Sequence, residues 1–114
     1  MRFRSSAGAA LGALALILTV PTSASAATGE FEYTYTGLNG MPQTAKLVDP
    51  ESRVCHTLPE VADDDASNPA HSPRNRTDST VTVFTEAECE GAYFTLRPGG
   101  QASERLKMRS AIFS

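Results

Sequence analysis

The sequence predicts a small all-β domain, a sandwich or compact barrel of short strands. Three observations carry this expectation. Segments of four to nine residues alternate apolar and polar side chains, as in "GEFEYTYTG" and "TVTVF". Turn formers such as "LNGMP", "DPES" and "RPGG" separate them. No segment after residue 27 repeats its apolar residues at helical spacing over several turns. Period-two alternation bounded by Gly, Pro, Asn and Asp is the pattern of half-buried strands joined by tight connections.

The first 26 residues stand outside that domain. Arg2 and Arg4 precede an apolar run from Ala9 to Val20, Pro21 ends it, and Ala24-Ser25-Ala26 follows. A basic start, an apolar centre and an A-x-A end make a secretory signal peptide. The run is too short for a membrane span, which needs about 20 residues. Cleavage is expected after Ala26, or after Ala27, leaving residues 27–114 as a single exported β domain with no membrane span.

In order, residues 29–37 form the first expected strand, with Phe31, Tyr33 and Tyr35 on one face and Glu32, Thr34 and Thr36 on the other. The Asn39-Gly40 pair marks a turn. Residues 44–48 ("TAKLV") and 53–58 ("RVCHTL") read as further short strands. From 59 to 79 the composition turns to Pro, Asp, Ser and Asn without apolar period, and a long surface loop is expected. "TVTVF" is the clearest strand, with "AYFTL" as its antiparallel neighbour. "ASERLKM" suggests one helical turn and "SAIFS" a last strand.

A domain this small is close to the lower limit for a self-sufficient core. Its cysteines are Cys55 and Cys89. In an exported chain they are expected to pair with each other; the alternative is a free reactive thiol, for which neither surrounding is electropositive. Without Arg2 and Arg4 the chain carries eight Lys+Arg against thirteen Asp+Glu, formally −5. That balance argues against nucleic acid as a partner, because phosphate binding needs a basic face.

Candidate chemistry is sparse. Asp63, Asp64 and Asp65 lack the spaced oxygens and glycine of an EF-hand, and read as a solvated acidic loop. Glu86, Glu88 and Glu90 surround Cys89 without a nucleophile paired to them. His56 and His71 fit neither a four-ligand zinc set nor a G-x-S-x-G hydrolase motif. Asn75-Arg76-Thr77 matches the glycosylation pattern and is read as chance. Arg97, Arg105, Lys107 and Arg109 read as solvated charges along a sheet edge. No catalytic residue, cofactor or metal is expected.

The stretch "VTVFTEAECEGAYFTLRPGG" with the later "RSAIF" resembles a βγ-crystallin Greek-key motif over residues 80–114. Phe84 stands at the aromatic that ends the first strand, Gly91 at the glycine of the folded hairpin corner, and Cys89 where a second aromatic is usual. A Cys55–Cys89 bond would pin the corner in place of ring packing. In the first half, Tyr35, Thr36 and Gly37 offer a fragment of the same corner. The resemblance implies a small Greek-key β-sandwich. It is similar to small secreted actinobacterial proteins of the killer-toxin-like and metalloproteinase-inhibitor types. The Ca²⁺ site of many relatives falls here on residues 106–111, where Leu106 and Lys107 replace acidic ligands and Ser110 alone remains.

The function expected from these readings is non-enzymatic binding of an extracellular partner. A protease met through the loop at 59–79 is the first candidate, and a toxin or cell-surface adhesion role the alternative.

Overall fold

The computed structural model describes residues 25–114. The expected signal peptide, apart from Ser25 and Ala26, lies outside the described residues. Eight strands run in the order β1 (Gly29–Thr36), β2 (Pro42–Val48), β3 (Cys55–Thr57), β4 (Ala70–Thr77), β5 (Val81–Phe84), β6 (Tyr93–Leu96), β7 (Lys107–Met108) and β8 (Ser110–Phe113). They form two antiparallel four-stranded sheets, ordered β2-β1-β4-β7 and β3-β8-β5-β6.

The two orders are related by a shift of four strands. Strands β1, β2 and β4 stand to β7 as β5, β6 and β8 stand to β3. Each half of the chain is thus a four-stranded Greek key that lends its third strand to the other half's sheet. Neither half completes a sheet alone, so the exchange binds the halves into one sandwich.

The alternation in β1 is realised as expected. Phe31 and Tyr33 are buried, while the intervening glutamates reach the surface. They meet Val81, Val83, Met108, Ala111 and Phe113 from the second half in a common core. The Phe31 and Phe113 rings make an edge-to-face contact at 5.5 Å across it, a geometry favoured by the ring quadrupoles.

The expected loop at 59–79 is corrected. Its second half is β4, hydrogen-bonded between β1 and β7. Its inward positions are Ala70, Pro73, Asn75 and Thr77, small or polar residues that leave no apolar alternation to read. Pro73 cannot donate to a ladder, and it sits where the β1–β4 register shifts between Glu32 and Thr34. Such a bulge is where a central strand tolerates proline. Asn75 is 1% exposed. Its Nδ2 donates to the carbonyls of Ser79, Leu96 and Arg97 at 2.7, 3.1 and 3.1 Å, and its Oδ1 accepts from the Thr77 amide and hydroxyl. This inward amide ties β4 to the opposite sheet and leaves no free nitrogen for a glycan.

Two smaller expectations also change. Residues 102–108 hold a turn closed by Leu106 N–H on Ser103 O, followed by β7, in place of a helical turn. The first half has no folded corner at Tyr35, Thr36 and Gly37; a short hairpin joins β1 to β2 instead.

Candidate functional site

The corner between β5 and β6 folds back on the sheet. Thr85 N–H donates to Ala92 O, Glu86 N–H to Glu90 O, and Ala92 N–H to Thr85 Oγ1. Glu88, Cys89 and Gly91 all carry positive φ, at 61°, 59° and 87°. A side chain at Gly91 would run into Thr85 and Glu86, so the corner needs glycine there.

Cys89 is bonded to Cys55 of β3, with 6.0 Å between the Cα atoms. The Cys89 amide donates to Ser110 Oγ at 2.8 Å, Ser110 Oγ donates to Glu86 O at 2.6 Å, and the Glu88 amide donates to Thr57 Oγ1 at 3.0 Å. The Phe84 ring packs on Tyr93, at 6.2 Å, on the neighbouring strand. Glu86, Glu88 and Glu90 are exposed around this corner.

What remains of the expected loop is residues 59–69, which with Leu58 ahead of it is fastened along its length. Leu58 and Val61 sit in the core, the first capping and the second ending a single 3-10 turn, Pro59–Val61. The fastening residue is Arg109. Its guanidinium donates to Val61 O at 2.8 Å, Ser67 O at 2.9 Å and Ser67 Oγ at 3.3 Å. Arg109 is only 7% exposed, so the expectation that it lies solvated on a sheet edge is corrected. Among the described residues the ion pairs are Lys46–Glu30 and Arg76–Glu32. Arg109 is therefore held by carbonyls and a hydroxyl, with the carboxylates of the loop outside it.

The Tyr33 hydroxyl donates to Glu60 Oε1 at 2.6 Å from below the same loop. Burial, and then the Glu60 carboxylate, hold the Tyr33 phenol far above its usual pKa. At the loop tip Asp63 Oδ1 accepts from the Asp65 amide and Asp63 O accepts from Ser67 Oγ. The three aspartates are exposed, with carboxylate oxygens within 4.8 Å of one another, and Asp63 is spent on shaping its own turn.

Opposite the loop stands the β1–β2 hairpin. A groove of about 830 Å³ separates them, lined by Tyr35, Leu38, Asn39 and Gln43 on one wall and Glu60, Asp63 and Asn68 on the other. Leu38 and Met41 are exposed at the hairpin tip.

The histidines serve locally. His56 Nε2 lies 2.8 Å from Glu51 O and its ring packs edge-on against Phe113. His71 Nδ1 lies 2.8 Å from Ser72 Oγ, and neither hydrogen bond involves a carboxylate.

Arg109 and Asn75 are the residues that sequence reasoning missed. Their signals were hidden, since an arginine among other basic residues and an asparagine in a glycosylation pattern both read as surface. The arrangement offers an anchored loop, a hydrogen-bonded hairpin and a groove between them, a surface able to hold another molecule.

Comparison with known proteins gives this surface a context. No match was found among the curated proteins or the solved structures. The family model for peptidase inhibitor family I36 matches residues 29–96. The match spans β1 to β6, and with them the hairpin, the loop, both cysteines and the corner, so the chain belongs to peptidase inhibitor family I36.

Proposed function

We propose that this protein is exported and acts outside the cell as a non-enzymatic inhibitor, binding a peptidase through the loop at 59–69 and the surface beside it. The observation that carries the reading is the anchoring of that loop. Arg109 holds Val61 and Ser67 from within, Tyr33 holds Glu60, and the Cys55–Cys89 bond fixes the strand that leads into it. A segment already in its bound shape pays less ordering entropy when a partner closes on it. It also resists being a substrate, because cleavage requires local opening. Family membership supports the peptidase as partner. The basic start, apolar run and Ala24-Ser25-Ala26 support export, and the disulfide agrees with an oxidising compartment.

The test is direct. The oxidised protein beginning at Ala27 is titrated against endopeptidases of the serine, cysteine, aspartic and metal-dependent classes. Stoichiometric loss of activity is expected for at least one. Full activity of all four classes at micromolar protein would remove the proposal.

A further inference from the structure

The two Greek keys have equivalent first hairpins, and the structure treats them in opposite ways. The β5–β6 corner is folded down and tied to its surroundings through Cys55, Thr57 and Ser110. The β1–β2 tip is bonded only to itself. Gly37 N–H donates to Met41 O at 2.8 Å, Gly40 N–H to Gly37 O at 2.9 Å, and Met41 N–H to Asn39 Oδ1 at 3.0 Å. Gly40 takes φ 79° to close the turn. The tip is therefore closed on itself by hydrogen bonds and is not tied down as the β5–β6 corner is.

At its apex is a leucine. Leu38 is 110% exposed, so nothing in the fold shields it, and Met41 beside it is 58% exposed. Residues 37–45 carry no charge. Charges begin around them, at the Lys46–Glu30 pair and at Glu60 and Asp63 across the groove. An uncharged apolar centre inside a charged rim is the anatomy of a binding surface, in which a few side chains filling pockets on the partner carry most of the affinity.

We propose that Leu38 is the anchor of the inhibitory surface and that the partner is an endopeptidase whose substrate pocket selects bulky aliphatic side chains. This rests on the peptidase-inhibitor reading above. Leu38 fills the pocket, Met41 covers its lip, and the acidic wall of Glu60 and Asp63 faces a basic border of the cleft. The backbone at the tip is a closed turn with Leu38 and Asn39 at its centre, whereas a substrate is held extended. Leu38 accordingly enters as a plug, and the Leu38–Asn39 bond is not offered for cleavage.

The test uses the oxidised protein with Leu38→Ala, Leu38→Asp and Leu38→Met variants. The probes are chymotrypsin, subtilisin and thermolysin, which select apolar side chains, with trypsin and glutamyl endopeptidase as charge-selecting controls. Inhibition is expected within the apolar-selecting group. Leu38→Ala should weaken it about 30-fold, from the burial lost by truncating a leucine, Leu38→Asp should weaken it further, and Leu38→Met should retain it. Thermal unfolding should not move, since the side chain touches nothing. Mass spectrometry of the complex should show Leu38–Asn39 intact. Inhibition that persists unchanged in Leu38→Ala and Leu38→Asp, inhibition confined to the charge-selecting controls, or cleavage at Leu38 would each overturn this inference and leave the inhibitor reading standing. No inhibition of any of the five by the wild-type protein would overturn this inference, and the four-class titration separately decides the reading beneath it.

Discussion

Arg109 and Ser110 are chain neighbours, both buried, and their side chains fasten two irregular segments of the fold, the loop before β4 and the corner between β5 and β6. Arg109 holds the loop at Val61 and Ser67, and Ser110 holds the corner at Glu86 and Cys89. Their backbones continue the link, with Arg109 N–H on Phe84 O and Leu58 N–H on Arg109 O. Loop and corner are thus positioned from one point, where the chain passes from β7 in one sheet to β8 in the other.

Replacing Arg109 tests whether the loop's rigidity depends on it. Arg109→Met keeps a long apolar stem but strips partners from Val61 O and Ser67 O. Leaving buried carbonyls unpaired costs about 1–3 kcal/mol each, so a fall of about 2–4 kcal/mol is expected in urea unfolding. Amide exchange in residues 61–67 should accelerate more than in β1 or β5, and inhibition should weaken with it. Arg109→Lys, with a single ammonium in place of a fork, should recover part of both. Unchanged exchange in the loop would show that it is held by something else.

The alternation of Phe31, Tyr33 and Tyr35 made β1 legible in the sequence, and "TVTVF" and "AYFTL" did the same for β5 and β6. β1 and β5 show one apolar face to a core, whereas β6 sends only Leu96 there and leaves Tyr93 and Phe94 exposed. β4 was illegible because its inward face is Ala70, Pro73, Asn75 and Thr77, chosen for hydrogen bonding and a bulge rather than for apolar burial. The pairings of β3 with β8 and β4 with β7 are also hidden, since a strand exchange between halves leaves no local trace. Of the surface, the cysteine pair and the glycine corner could be named from the chain. The groove could not, because its walls are contributed by segments about 20 residues apart that nothing local brings together.

Asn75 is predicted to be worth more than its surface-like pattern suggests. Asn75→Ala removes the donor to three carbonyls and the acceptor for Thr77 at a residue that is itself 1% exposed. The expected cost is about 3 kcal/mol or more. Asn75→Asp keeps the shape but turns a carboxylate toward three acceptors, and should be no better than alanine. If aspartate restores the urea midpoint, the hydrogen-bond account is wrong and shape alone matters.

The disulfide should stabilise the fold without being required for its topology. Cys55 and Cys89 are 34 residues apart, and closing a loop of that size is worth about 3–4 kcal/mol in the chain-entropy model. A Cys55→Ala/Cys89→Ala protein should lose that amount, lowering the melting temperature by about 15 °C or more. Its strand content by circular dichroism should persist, because Ser110 and Thr57 still hold the corner backbone. A double variant with full thermal stability would mean that the hydrogen bonds alone determine the corner's contribution.

Tyr33 gives the fold an alkaline limit. Its ring is 1% exposed, and its hydroxyl donates to Glu60 at 2.6 Å. Burial first, then the hydrogen bond and the charge of Glu60, raise its pKa far above the ordinary value of 10.0. In the unfolded chain the same phenol ionises near pH 10. The folded protein therefore keeps a proton that the unfolded chain releases. The stability tied to this group is fully present below pH 10 and drains away above it, by about 1.4 kcal/mol for each pH unit until the folded group also ionises. Tyr33→Phe has no proton to lose and leaves Glu60 able to turn to water. The two proteins differ by the one hydroxyl, so the difference between wild type and variant reports on Tyr33. Measured by urea unfolding, that difference should be flat from pH 7 to 9 and should shift toward the variant between pH 10 and 11. A difference that stays constant through pH 11 would mean that the phenol reaches water in the native state, and that the contact beneath the loop is open rather than closed.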